Sequence, residues 1–198
     1  PTAAASAVVD AIVHVLEAYV SKKSSLFTDL ICEKAFELII NSIEDLNNIK
    51  ANLEKRLDLL KGSFLAGIAQ MNAGSGIASS ISYPLSAYYK VPHGIGGGIF
   101  ILNIVEFNLS NGFDKYKKLA VYLPREKKES SSEKLMIFLK KIFKKLGIPN
   151  NLKKFNISKK DYNFLLEIMK PMQNGFDQNP IKFNVKDNFA NLIKEYLE

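Results

Sequence analysis

Three side chains in this sequence have the types and the spacing of ligands for a divalent metal ion. Asp10 and His14 are four residues apart in the stretch DAIVHVLEAYV. Because this stretch is apolar and helix-forming, we predict a helix that carries both side chains on one face, on consecutive turns. His93, the second of only two histidines, lies between Pro92 and Gly94, a pattern typical of a turn that opens a helix. The sequence therefore predicts that one carboxylate and two imidazoles meet at a common point.

Each of these residues also has a purely structural explanation. A histidine on an apolar helix is more often a hydrogen-bonded core residue than a ligand. A carboxylate such as Asp10 in an apolar stretch is costly unless it is paired or bound to a cation, although it can instead cap a neighbouring segment. Glu17 is expected to support a neighbouring residue or lie at the surface, and not to act as a base. The residues alone leave these alternatives open.

The period of the apolar residues predicts an all-α fold, a multi-helix bundle that forms a single domain over residues 1–198. Two pairs, Ser130 with Glu133 and Ser158 with Asp161, have the spacing of capping boxes and open helices that end near positions 146 and 169. The other predicted helices cover residues 3–20, 28–46, 51–73, 93–108 and 185–197.

Prolines and glycines mark the segment around His93. In IASSISYPLSAYY, residues 77–89, a helix is expected to start at Pro84 or to kink near it, and to stop before Pro92. The helix that follows contains four glycines, each of which weakens a helix by roughly 1 kcal/mol relative to alanine. We expect close packing of a neighbouring helix to explain most of them, with approach of a ligand as the alternative. These glycines are Gly94, Gly96, Gly97 and Gly98.

Composition limits the classes of function. The chain has 198 residues, 47% of them hydrophobic, and a formal charge of +7 that is spread over helix surfaces. We therefore expect no nucleic-acid partner and, without a long uncharged segment, no membrane partner. The single cysteine, Cys32, excludes a disulfide within the chain and favours a core position in a reducing, cytoplasmic setting. A homo-oligomer remains open.

Two stretches together resemble a known family. DAIVHVLEAYVS resembles the D-A-hydrophobic-x-H-x-x-E-A-Y-hydrophobic-S signature of the iron-type, or group III, metal-dependent alcohol dehydrogenases, and GIASSISYPLSAYYKVPHGIGGG resembles their second signature. The resemblance implies the C-terminal helical domain of the dehydroquinate synthase-like fold. It also implies that NAD or NADP binds to an N-terminal dinucleotide-binding domain that is absent from this chain. The isolated chain is then expected to be inactive.

The resemblance assigns roles to particular residues. Asp10, His14 and His93 match three of the family's four ligands for a divalent metal, iron or zinc. Ser79 occupies the place of the fourth ligand, which is usually histidine, and Tyr83 replaces a further histidine. Ser79 and Tyr83 are expected to line the substrate pocket, with Tyr83 as the catalytic hydrogen-bond donor to the substrate.

Ser79 leaves two functional hypotheses. In the first, three protein ligands plus water hold the metal, as in known catalytic sites, and the domain supplies a metal and a substrate wall to an alcohol dehydrogenase or aldehyde reductase. Its substrate is then a small alcohol or aldehyde, with an anionic one as an option. In the second, the site has degenerated and the chain is a metal-free helical module for binding or scaffolding.

Overall fold

The computed structural model describes residues 3–48, 52–123 and 131–197, and within these ranges it contains nine α-helices and no β-strand. The prediction of an all-α fold is therefore confirmed. The helices are α1 (Ala3–Val20), α2 (Leu26–Ile40), α3 (Leu53–Ala73), α4 (Ile77–Tyr89), α5 (His93–Ser110), α6 (Ser132–Lys145), α7 (Tyr162–Met169), α8 (Gln173–Phe176) and α9 (Ala190–Lys194). Short 3₁₀ turns, among them Ile43–Asn48 and Tyr116–Tyr122, connect several of them.

Helix α1 is the centre around which helices α2 to α5 pack. It contacts α2, α3, α4 and α5, and 67% of its residues are buried within the fold. Its length and composition would also suit a membrane span, but such burial is typical of the core helix of a folded domain. Cys32 on α2 is fully buried, as expected.

Side-chain caps move two helix boundaries away from their predicted positions. Helix α2 begins at Leu26 and not at position 28, because Ser25 and Thr28 form a capping box one turn earlier. It ends at Ile40, and the chain continues as a 3₁₀ turn where helix was predicted up to position 46. Helix α3 begins at Leu53 after an Asn52 cap, and predicted position 51 lies outside the described residues.

Of the two alternatives for Pro84, a helix that starts there is wrong, and the predicted end before Pro92 is confirmed. Helix α4 begins at Ile77, seven residues before Pro84, and runs on to Tyr89. Proline within a helix removes one hydrogen bond to the preceding turn, so α4 must be stabilised elsewhere. Its C-terminal end is set by Lys90, which adopts the left-handed conformation at φ 57°.

Glu17 of α1 stabilises the start of α4, because its carboxylate caps the first turn of that helix. Oε2 accepts hydrogen bonds from the Gly76 backbone N–H at 3.0 Å and from the Ser79 hydroxyl at 2.5 Å, and Oε1 accepts one from the Ser79 N–H at 3.0 Å. Glu17 is buried, which corrects its alternative placement at the surface. A negative charge at a helix N-terminus is favourable, so this contact fixes α4 against α1.

Boundaries in the second half are shifted by similar local contacts. Ser131 caps α6 by accepting a hydrogen bond from the Lys134 N–H, whereas the predicted Ser130 lies outside the described residues. The capping box of Ser158 and Asp161 is confirmed, although it opens a 3₁₀ turn immediately before α7. The predicted last helix is a π-helical turn, Val185–Phe189, followed by α9.

The glycines of α5 allow the helix to pack closely against its neighbours. A Cβ atom on Gly94 would lie 2.1 Å from the Ser6 carbonyl oxygen of α1, and one on Gly98 would lie 2.6 Å from a methyl carbon of Val9. Both separations are shorter than van der Waals contact. A Cβ on Gly96 would similarly meet the hydroxyl of Ser82 on α4. Close helix packing, the favoured explanation for most of the four glycines, is confirmed for these three.

We predict that Glu17→Gln destabilises the fold by about 1–3 kcal/mol, because the amide nitrogen cannot accept a hydrogen bond and leaves a buried donor without a partner. The measurement is urea unfolding followed by circular dichroism. Glu37→Gln is the control, since Glu37 pairs with Lys34 at the surface and should change stability by no more than about 0.5 kcal/mol. Equal effects of the two substitutions would contradict the capping role.

Candidate metal centre

Helix α1 presents Asp10 and His14 on one face. The two side chains are one turn apart, and His14 Nε2 lies 3.5 Å from Asp10 Oδ1. Both are partly shielded, with 26% of the Asp10 side chain and 17% of the His14 side chain exposed. The predicted placement on consecutive turns is therefore present in the structure.

His93 reaches the same point from the first position of α5. The Ser82 hydroxyl on α4 donates a hydrogen bond of 2.6 Å to the His93 carbonyl oxygen, which ties the start of α5 to α4. The absence of a side chain at Gly94 lets this start lie directly against α1. As a result, His93 Nε2 lies 3.8 Å from Asp10 Oδ1.

The three side chains form a cluster with the spacing of metal ligands. One potential ligand atom from each of Asp10, His14 and His93 lies within 4.8 Å of the other two. Ligands of a tetrahedral zinc ion, bound at about 2.0–2.2 Å, are separated from one another by roughly 3.3–3.6 Å. The observed separations of 3.5 and 3.8 Å from Asp10 Oδ1 are close to that range.

Asp10 Oδ1 lacks a hydrogen-bond partner. This oxygen is shielded from solvent, and no donor in the described part of the chain reaches it. A buried carboxylate oxygen without a donor is unfavourable unless a cation balances its charge. Two nitrogen donors and one oxygen donor are a common set for zinc or iron. The residues therefore fit a divalent cation.

Burial also favours the form of His14 that binds metals. The pKa of His14 is lowered, chiefly because burial disfavours the charged ring; the Asp10 carboxylate opposes this shift and His93 adds to it. A neutral imidazole has a nitrogen lone pair available for coordination, whereas a protonated one does not. His14 is thus suited to bind a cation at neutral pH.

Ser79 does not face the cluster as a free ligand. Its side chain is fully buried, and its hydroxyl donates to Glu17 while also lying 3.4 Å from the amide nitrogen of Gln70. Burial raises the pKa of Glu17, while hydrogen bonds from Ser79 and Gly76 oppose this shift. Ser79 is also not among the residues that line the cavity beside Asp10 and His93. Its expected place in the substrate pocket therefore lacks support here.

Tyr83 lies beside the cluster. Its ring centre is 4.7 Å from that of His93, with the two planes at 40°, and 51% of the residue is exposed. The ring therefore packs on the imidazole while half of the residue is open to solvent. Like Ser79, Tyr83 is not among the residues that line the cavity beside Asp10 and His93. Its role as a hydrogen-bond donor remains a prediction.

A cavity of about 670 Å³ opens beside the cluster. Asp10 and His93 line it, together with Lys154 and Phe155 from the connector between α6 and α7. Sequence reasoning did not predict this placement, because Lys154 and Phe155 lie far along the chain in an irregular segment. Lys90, at the C-terminal end of α4, does not line this cavity and donates a hydrogen bond to the Ala87 carbonyl oxygen.

Comparisons with known proteins identify the family of this chain. The model of the Fe-containing alcohol dehydrogenase family, C-terminal part, matches residues 4–197. The chain is 26% identical over 182 residues to a 1,3-propanediol dehydrogenase of Klebsiella pneumoniae, covering 90% of this chain and 47% of that protein. It is 27% identical over 190 residues to an NADPH-dependent butanol dehydrogenase of Clostridium saccharobutylicum, covering 93% and 48%.

A solved structure gives the same result. The alcohol dehydrogenase from Oenococcus oeni superposes with a TM-score of 0.84 at 27% identity, covering 98% of this chain and 51% of that one. The chain thus spans about half the length of the relatives it matches. With nearly every residue matched by the family model, this chain belongs to the iron-containing alcohol dehydrogenase family, in the region of its C-terminal helical domain.

Proposed function

We propose that this chain is the metal-binding and substrate-binding domain of an NAD(P)-dependent alcohol dehydrogenase or aldehyde reductase. The observation that carries the proposal is the buried Asp10 oxygen, which has no hydrogen-bond donor in the described ranges of the chain and faces two imidazoles. Asp10, His14 and His93 would hold an iron or zinc ion. A bound ion of this kind polarises an alcohol or carbonyl oxygen and so favours hydride transfer to or from the nicotinamide.

The chain's own residues supply the surroundings of the reacting oxygen. Tyr83, packed on His93 and half exposed, would donate its hydroxyl proton in a hydrogen bond to that oxygen. Phe155 gives the adjacent cavity an apolar wall, and Lys154 gives it a positive charge. This charge favours alcohols or aldehydes that carry an anionic group. The nicotinamide cofactor would be held by a dinucleotide-binding domain outside these 198 residues.

The metal site can be tested by titration of the metal-free chain with Zn²⁺, or with Fe²⁺ without oxygen, in a calorimeter. We expect one ion per chain and an affinity at least about 100-fold weaker in Asp10→Ala and in His93→Ala. Asp58→Ala is a matched control, since the Asp58 side chain is also 26% exposed and lies beside Lys61 on α3, outside the cluster. Absence of binding, or an equal loss in the control, would favour the metal-free module.

Ser79 provides a second test of the ligand set. Because its hydroxyl is bound to Glu17, Ser79→Ala should leave the affinity for Zn²⁺ within about threefold while lowering stability by about 1–2 kcal/mol. Calorimetry and urea unfolding measure the two quantities. A tenfold or greater loss of affinity in the folded variant would show that Ser79 takes part in binding the ion.

The catalytic proposal is tested by activity. The 198-residue chain alone should not oxidise 1-butanol or 1,3-propanediol with NAD⁺ or NADP⁺, whereas a longer protein that includes a dinucleotide-binding domain should. In that longer protein, Tyr83→Phe should lower kcat by about 10–100-fold with little change in bound metal, because general acid–base and hydrogen-bonding groups contribute factors of this order. Turnover by the short chain, measured by NADH absorbance, would contradict the requirement for a second domain.

A further inference from the structure

The exposed face of α3 carries large apolar side chains, whereas the exposed face of an ordinary surface helix is polar. The inward face of α3 is made largely of small residues, among them Gly62, Ala66, Ala69 and Ala73, which allow close packing on α1 and α2. Its large apolar residues point outward instead. Four of them are Leu53, Leu57, Leu60 and Phe64, which are between 47% and 76% exposed.

These four outward residues, which we call the α3 seam, have the spacing of a helix-pairing surface. They are separated by four, three and four residues, and Met71 lies on the same line seven residues after Phe64. Alternation of three and four keeps apolar side chains on one stripe that a second helix can cover. Eight of the thirteen exposed large apolar residues in the described part of the chain lie on α2 and α3. Such concentration marks an interface.

Charges beside the α3 seam indicate what covers it. Glu54 follows Leu53 and Lys61 follows Leu60, so both lie on the same flank, two turns apart and with opposite sign. When two copies of α3 pair antiparallel about a two-fold axis near position 58, this flank of one copy faces the same flank of the other. Glu54 of each copy then lies near Lys61 of the other. The Lys61 side chain is 56% exposed, although it also lies 3.9 Å from Asp58, so it remains accessible to a second chain.

We propose that the α3 seam is a homodimer interface, in which α3 pairs antiparallel with α3 of a second copy of this chain. A two-fold interface uses the same surface on both subunits, so an apolar stripe with self-complementary charges is suited to it. This proposal is independent of the metal site and of the proposed activity. It makes the chain dimeric even when no metal or cofactor is bound.

Sedimentation equilibrium of the metal-free chain tests the proposal. We expect a dimer at concentrations of about 10–100 µM. Leu57→Glu, which places a charge in the seam, should weaken dimerisation at least about tenfold. Ile137→Glu on α6 is the matched control, because Ile137 is 61% exposed but lies outside the seam, and it should have no effect.

A charge exchange tests the antiparallel register. Glu54→Lys alone places like charges opposite each other and should weaken the dimer, whereas Glu54→Lys combined with Lys61→Glu should restore it. Both substitutions are on the exposed face, and circular dichroism checks that the helices are intact. A monomer throughout the concentration range, whether or not it binds lipid vesicles, would overturn the proposal. A dimer unaffected by Leu57→Glu, or not restored by the double exchange, would also overturn it.

Discussion

The candidate site depends on the charge of one carboxylate, that of Asp10, whose Oδ1 atom is shielded from solvent. Asp10 Oδ1 is removed from solvent, has no hydrogen-bond donor among the described residues, and faces the Nε2 atoms of His14 and His93. In a protein interior this arrangement is unfavourable by itself and becomes favourable when a cation occupies the space between the three groups. The Asp10 carboxylate therefore lies where a metal ion would be held. The surrounding helices keep it in that position.

Two contacts hold the helices around that charge. The first is the close approach of α5 to α1, which a side chain at Gly94 would prevent and which places His93 opposite Asp10. The second is the carboxylate of Glu17, which caps α4 and takes up the hydroxyl of Ser79. Glu17 thus joins α4 to α1 and also binds the Ser79 hydroxyl, which is therefore not free to bind a metal. We propose that the metal site consequently has three protein ligands, Asp10, His14 and His93, and a fourth position for water or substrate.

The parts of this structure that could be predicted from the sequence are those determined by residues close together in the chain. The spacing of Asp10 and His14 fixes their common face, and the Pro92–Gly94 turn fixes His93 at a helix start. Long-range contacts were beyond such reasoning. The first turn of α4 is capped by Glu17, which lies 59 residues before Gly76 in the chain. Nothing near Lys154 indicates that it lines the cavity beside His93. The exposed α3 seam was likewise invisible, because its leucines suggest an ordinary core helix.

X-ray absorption spectroscopy of the zinc-loaded chain would test the proposed centre most directly. Asp10, His14 and His93 predict a first shell of nitrogen and oxygen atoms at about 2.0–2.2 Å, with outer-shell scattering from two imidazole rings. Replacement of His14 by alanine should remove the scattering of one ring. A spectrum without imidazole scattering, or one unchanged by that substitution, would show that the ion binds elsewhere and that the three side chains do not form a metal centre.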